Sequence, residues 1–278
     1  MNSMQLKDKL KNIAKRKNID FNVVLKYYVF DRFIVRLSKS PYKDNFIIKG
    51  GFLLSTMFGV EHRSTMDIDY AITKTNFTEE NILKMIKSII NINEKDNIKF
   101  SIKDIELIRE EDKYGGYRVH LIFEFENIKE FLKIDIATGD PITPEAIEFH
   151  YKCMLSEDYL KVWSYNLETV LSEKIETILS RGELSSRMKD YYDIFLIYNR
   201  YWDKIDKDEL IRAIQRTFTK REFKSDLNET FNIIKDSIII KKRWQAYSRK
   251  YDYAHNIKYE QVMNCLESII SITYLIYC

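Results

Sequence analysis

Cysteine, glycine, proline and histidine are all scarce in this chain. Its 278 residues include three Cys, seven Gly, three Pro and four His. The cysteines, Cys153, Cys265 and Cys278, lie far apart and are odd in number. They fit neither a disulfide framework nor a zinc site, and a reducing cytoplasm is the expected compartment. The scattered histidines argue against a His-rich metal centre. No Gly/Ser linker, low-complexity tract or internal repeat is visible. No run of about 18 apolar residues occurs, so no transmembrane helix and no membrane partner are expected. The opening residues, Met1 to Lys7, lack the apolar core of a signal peptide. An excess of one charge is missing too: 45 Lys and Arg face 42 Asp and Glu. A net charge of +3 is too mild to imply nucleic acid by itself.

What is present is 45% hydrophobic and 31% charged, as in a globular protein of one or two domains. The first forty residues read as two helices, one carrying Leu6, Leu10 and Ile13, the next capped by Asp20 and ended near Pro41. Phe46-Ile47-Ile48 is a short apolar strand that runs into Gly50-Gly51. Phe52 to Phe58 then reads as a short helix stopped near Gly59, and Asp67 to Ile72 as a strand. Thr78 caps a helix with Ile82, Leu83, Ile86, Ile89 and Ile90. Three strands are expected at Ile98 to Ile108, Tyr117 to Phe125 and Phe131 to Ala137, with Gly115-Gly116 as a hairpin turn between the first two. From about Asn166 the pattern is helical, with Phe231, Ile234 and Ile238 on one stripe. The boundary is expected near residue 160, with Trp163 and Tyr165 packed at the seam. This gives a domain of residues 1–160 with two N-terminal helices and a helical domain of residues 161–278.

The chemistry concentrates at Lys49-Gly50-Gly51 and Asp67-Ile68-Asp69. On a strand, residues i and i+2 face one side, so Asp67 and Asp69 put two carboxylates on one face. Such a pair repels unless something positive lies between. A hard divalent ion is the usual answer, and Mg²⁺ is typically held by one or two carboxylates plus substrate phosphates. A Gly pair opening a helix offers backbone N–H groups and a positive dipole end to phosphates. Two-metal phosphoryl chemistry asks for a third acid. Asp135, inside the apolar run Leu132 to Ile136, is the candidate, as metal ligand and as base for an attacking hydroxyl. An ion pair with Lys133 is the structural alternative. Arg63 is a candidate for bidentate phosphate contact, and the Thr65 hydroxyl for lining the site beside Asp67.

Two further clusters lie in the helical half. Lys174 and Arg181 are seven apart, on one helix face, and Asp190 and Asp193 lie at the edge of an apolar helix. They either face a cleft or pair across helices. Lys241, Lys242, Arg243 and Trp244 form a basic patch with an aromatic ring, which suits RNA. A solvated helix face over buried aromatics is the other reading.

These motifs together resemble the DNA polymerase β-like nucleotidyltransferases. More closely, Arg63-Ser-Thr-Met-Asp-Ile-Asp69, Lys174-x6-Arg181 and Asp190-x-x-Asp193 resemble the AbiEii-type toxins of type IV toxin–antitoxin and phage abortive-infection systems. The resemblance covers residues 46 to 200. It implies an α/β fold, a polymerase β-like mixed sheet with flanking helices plus a helical C-terminal domain. It implies NTP as substrate, two Mg²⁺ ions on Asp67, Asp69 and Asp135, and Lys49, Gly50, Gly51, Arg63, Thr65, Lys174 and Arg181 around the nucleotide. Lys174 would bind the triphosphate and Asp193 would be an essential cleft residue. It also implies RNA, above all the tRNA 3′ end, as acceptor, and a cognate antitoxin encoded nearby. Many superfamily members carry Gly-Ser where this chain has Gly50-Gly51, so one hydroxyl contact to phosphate is absent. Transfer to a protein hydroxyl (AMPylation), transfer to a small molecule and nucleotide binding without turnover remain open alternatives.

Overall fold

The computed structural model describes residues 1–108 and 115–272. The chain divides into two compact units. One contains Met1–Gly139 and Ile147–Tyr165, the other Asp140–Ala146 and Asn166–Cys278. The division thus falls after Tyr165 rather than at residue 160, and a short segment between strands belongs with the helices.

The first unit is built on one seven-stranded mixed sheet. Its strands are β1 (Phe46–Lys49), β2 (Ile68–Ile72), β3 (Lys99–Ile108), β4 (Gly116–Phe125), β5 (Ile128–Ala137), β6 (Ile147–Lys152) and β7 (Tyr159–Ser164), in the order β3-β4-β5-β2-β1-β7-β6. β2 is antiparallel to β1 and parallel to β5. The period-2 pattern of β5 is kept: Leu132, Ile134 and Ile136 are fully buried, while Lys133 and Asp135 share the other face and are half-buried. The buried face joins Ile68 and Tyr70 of β2 and Val119, Leu121 and Phe123 of β4. Helices α1 (Ser3–Lys17), α2 (Phe21–Lys39), α3 (Gly50–Phe58) and α4 (Glu79–Ile90) complete the unit. Asp20 caps α2, accepting from the Asn22 N–H, and Thr78 caps α4. Phe30 and Phe33 of α2 and Phe52 of α3 are fully buried.

One local expectation changes, and the edge of the sheet adds a feature the sequence did not signal. Gly116 is not in a turn but opens β4, paired with Ile108 and Ala137. A Cβ there would meet Ile108 Cγ1 at 2.9 Å, so close strand packing is what requires glycine. The β3–β4 connection itself lies outside the described residues. The β6–β7 hairpin was not expected, because its alternation is broken by charged residues on a mostly exposed edge. Trp163 and Tyr165 are tied to the sheet of the first unit: the Trp163 indole donates to Asp44, and the Tyr165 N–H donates to the Ile48 carbonyl.

The second unit holds α5 (Leu167–Arg181), α6 (Met188–Tyr201), α7 (Lys207–Lys220), α8 (Leu227–Asp236), α9 (Ile238–Lys250) and α10 (Tyr259–Ser271). α5 packs on α6 and α7, and α6 packs on α10. The segment Asp140–Ala146 is held here by polar contacts. The Arg221 guanidinium donates to Asp140 and Glu176, and the Asn166 amide to the Thr143 and Glu145 carbonyls. The stripe Phe231, Ile234, Ile238 is interrupted: Ser237 ends α8 and caps α9, and Ile238 is 70% exposed.

Candidate active site

The acids meet through strand register. Asp69 of β2 lies opposite Asp135 of the parallel strand β5, and opposite Lys49 of β1 on its other side. Arg118 of β4 lies opposite Asp135. A single cross-sheet row therefore reads Arg118, Asp135, Asp69, Lys49. Residues directly opposite in a sheet share a face, so the row lies on one side, with Lys133 two residues away on β5 and Asp67 in the bend just before β2.

Each of two acids has a cation on it. Arg118 grips Asp135 with both arms, Nε to Oδ1 at 2.8 Å and Nη2 to Oδ2 at 2.9 Å. Hydrogen bonding to that carboxylate pushes the guanidinium further up from its ordinary value. Lys133 Nζ lies 3.0 Å from Asp67 Oδ2, so Lys133 pairs with Asp67 rather than with Asp135. The Thr65 hydroxyl donates to Asp67 Oδ1 at 2.6 Å, and the Thr65 N–H donates to the Tyr27 hydroxyl. Thr65 thus fixes the rotamer of Asp67 from a buried position.

Gly50 and Gly51 open α3 immediately after β1. Gly50 has φ +64°, a conformation that costs an L-residue roughly 1–2 kcal/mol. A Cβ at Gly50 would also meet Asp69, with Cγ at 2.9 Å. A Cβ at Gly51 would come within 2.8 Å of Arg63 Nη2. Backbone, carboxylate and guanidinium are thus packed closely at the N-terminus of a nine-residue helix, where N–H groups and dipole favour an anion. Arg63 is 4% exposed and donates to the Ser64 carbonyl at 2.6 Å. Lys49, also buried, sets its ammonium 4.9 Å from the centroid of the Tyr165 ring. Gly50→Ala is expected to lower activity at least about tenfold by displacing Asp69, with a stability loss of roughly 1–2 kcal/mol. Parallel activity and thermal-melt measurements check it; full activity would show that the close approach is unimportant.

In the second unit, Lys174 of α5 bridges two acids of α6. Its ammonium lies 2.8 Å from Asp190 Oδ1 and 2.7 Å from Asp193 Oδ2. All three are buried, Asp193 completely. Burial works to raise the Asp190 carboxyl, but the Lys174 and Arg187 charges outweigh it and hold Asp190 well below the usual 3.8. The cross-helix pairing is what the sequence left as an alternative to a cleft-facing cluster. Arg181, at the end of α5, is exposed.

The chain matches the family model described as nucleotidyl transferase AbiEii toxin, type IV TA system, over residues 32–266. It belongs to the AbiEii nucleotidyl transferase toxin family. A crystal structure of a candidate nucleotidyltransferase from H. pylori is similar at TM-score 0.51 and 14% identity, covering 93% of this chain and 96% of that one. JHP933 from Helicobacter pylori is similar at TM-score 0.51 and 15% identity, covering 92% of each chain. At such identities these two structures show the fold alone. No curated protein matches the chain. This AbiEii-family protein is a nucleotidyltransferase with an NTP as substrate, and its family role is that of a toxin paired with an antitoxin.

The family implies a divalent ion. Among the described residues no three His, Cys, Asp or Glu side chains converge as a metal cage. The strand expected from Asp67 begins one residue later, at Ile68; Asp67 just before β2 and Asp69 within it nevertheless make a hard-oxygen donor pair, and that chemistry fits an ion completed by water and phosphate oxygens. Arg118, which the sequence reading missed, is visible only through register, because nothing local marks an arginine 17 residues before Asp135. Of the basic patch, Lys242 is exposed, and Lys241 pairs with Glu260 at 2.6 Å. Arg243 donates to the Glu183 and Ser185 carbonyls. Trp244 is a correction: it is 1% exposed, and its indole donates to the Ile257 carbonyl. A ring in that position is core and offers no face to a base. Among the described residues no helix is long and apolar enough to cross a membrane.

Proposed function

We propose that this enzyme transfers a nucleoside monophosphate from an NTP to an RNA hydroxyl in the cytoplasm, with Mg²⁺ as its ion and the tRNA 3′ end as acceptor. The observation that carries the reading is the row in which Asp69 stands between Asp135 and Lys49, directly beside the Gly50-Gly51 opening of α3. In this reading Asp67 and Asp69 hold the ion, and Asp135 is the third acid of the row, beside Asp69. Bound Mg²⁺ supplies Lewis-acid stabilisation of charge on the phosphoryl oxygens. The Gly50 and Gly51 backbone and Arg63 grip phosphate, with Lys49 close by on β1. Thr65 orients Asp67. In the second unit, Lys174 and Arg181 are the candidate phosphate-binding cations, and Asp193 positions the Lys174 ammonium. The acceptor hydroxyl gives its proton to water as its oxygen bonds to the α-phosphorus, and pyrophosphate leaves as the bridging bond breaks. Exposed Lys242, Arg249 and Lys250 on α9 support an RNA acceptor, whose phosphates they would meet. Phage defence through blocked translation follows as the biological role.

The test is incubation of purified protein with Mg²⁺, total cellular RNA and each α-³²P-labelled NTP in turn, beside Asp67→Ala. Label in a tRNA-sized band, absent in the variant, is the expected result. Label on a protein band in cell extract would replace the RNA reading with AMPylation. Label on a small acceptor alone would replace it with small-molecule modification.

A further inference from the structure

A two-ion site would need an oxygen of Asp135, yet both of its oxygens are held in the Arg118 fork at 2.8 and 2.9 Å. Register puts the guanidinium one strand beyond Asp135 and Asp69 one strand before it. On the far side of Arg118 stands Glu106 of β3, opposite it in register and 3.4 Å from Nη1. Charge therefore alternates outward from Asp135 to Arg118 to Glu106. A guanidinium stays charged at any working pH and its planar fork matches a carboxylate. A second dication would have to displace it and would meet its repulsion at short range. Two residues along β5, Lys133 sits on Asp67 by a single contact at 3.0 Å, with its side chain 34% exposed. A single-contact ammonium on a flexible stem yields to an ion more readily than a bidentate fork.

We infer that Arg118 stands in place of a second metal ion. The enzyme takes one divalent ion on Asp67 and Asp69, and Asp135 holds Arg118 instead of ligating metal. This rests on the reading of Asp67 and Asp69 as ion ligands. Arg118 is then a positioning residue that keeps a fixed positive charge beside the phosphates. A plain cross-strand ion pair serving only the sheet would have no influence on the number of ions bound.

The experiment is Mn²⁺ titration of the full chain, with free ion read by electron paramagnetic resonance and folding checked by circular dichroism. Four proteins are compared: wild type, Asp69→Asn, Arg118→Gln, and the charge-balanced double variant Arg118→Gln/Asp135→Asn. Wild type is expected to bind one ion, at least tenfold more weakly in Asp69→Asn. The double variant should bind one ion within about threefold of wild type, because it removes acid and guanidinium together. Arg118→Gln should bind a second ion. Two ions in wild type, or a double variant as weak as Asp69→Asn, overturns the inference while leaving the ion on Asp67 and Asp69 intact. A folded Arg118→Gln that binds one ion also overturns it. If Arg118→Gln does not fold, the double variant against Asp69→Asn decides. Absence of Mn²⁺ binding in every protein overturns both this inference and the ion assignment beneath it.

Discussion

Asn at position 69 is expected to lower nucleotidyl transfer by roughly 10³-fold, since loss of ion-mediated charge stabilisation amounts to several kcal/mol and each 1.36 kcal/mol is tenfold. The same change is isosteric and should leave the fold largely intact. Asp69 faces Asp135 across β2 and β5 and Lys49 on β1, so the acid stands in a row of mixed charge. The assay is label transfer under the conditions given for Asp67→Ala, alongside a thermal melt. Retained transfer would remove Asp69 from the site. Lost transfer with a large drop in melting temperature would make Asp69 structural.

Lys174→Ala is expected to destabilise the second unit by roughly 3–5 kcal/mol, the usual cost of breaking a buried ion pair from one side. The ammonium is the shared partner of Asp190 and Asp193, and its loss leaves two carboxylates in the space between α5 and α6. The pH dependence gives a second readout. The Asp190 carboxyl is held below its usual 3.8, so it contributes stability at all pH values above that. This stability is lost as pH falls through the depressed folded value. In Lys174→Ala the cation with the larger effect is gone while Arg187 stays, so burial is offset less and the carboxyl is held down less than in wild type. The gap in melting temperature between wild type and variant should therefore be widest near neutral pH and narrow below about pH 4. A constant gap would show that Lys174 acts through packing and not charge. One consequence bears on activity: lost transfer in Lys174→Ala says nothing of phosphate binding until melting has been measured.

How much was legible from sequence varied with distance along the chain. Strands β1 to β5 and helices α1 to α4 follow from patterns within ten or so residues, and their caps at Asp20 and Thr78 are local chemistry. Gly50-Gly51 and Asp67-x-Asp69 were readable because their geometry is set by neighbours one or two residues away. The β6–β7 hairpin was not, since an edge pair with exposed charged positions carries little alternation. Trp244 misled because basic residues flank it both in a nucleic-acid patch and on a helix whose apolar side is core; burial tells them apart, and burial is a property of the packed unit.

The sequence by itself determined the fold class and the family, because periodicity and short motifs such as Asp67-x-Asp69 are encoded in contiguous residues. Tertiary structure alone decided the partners: Arg118 on Asp135, Lys133 on Asp67 and Lys174 between Asp190 and Asp193. Each pairing depends on strand register or helix docking. These are set by burying apolar faces such as Ile134 against its neighbours, and the charged residues on the opposite side are carried into position with them.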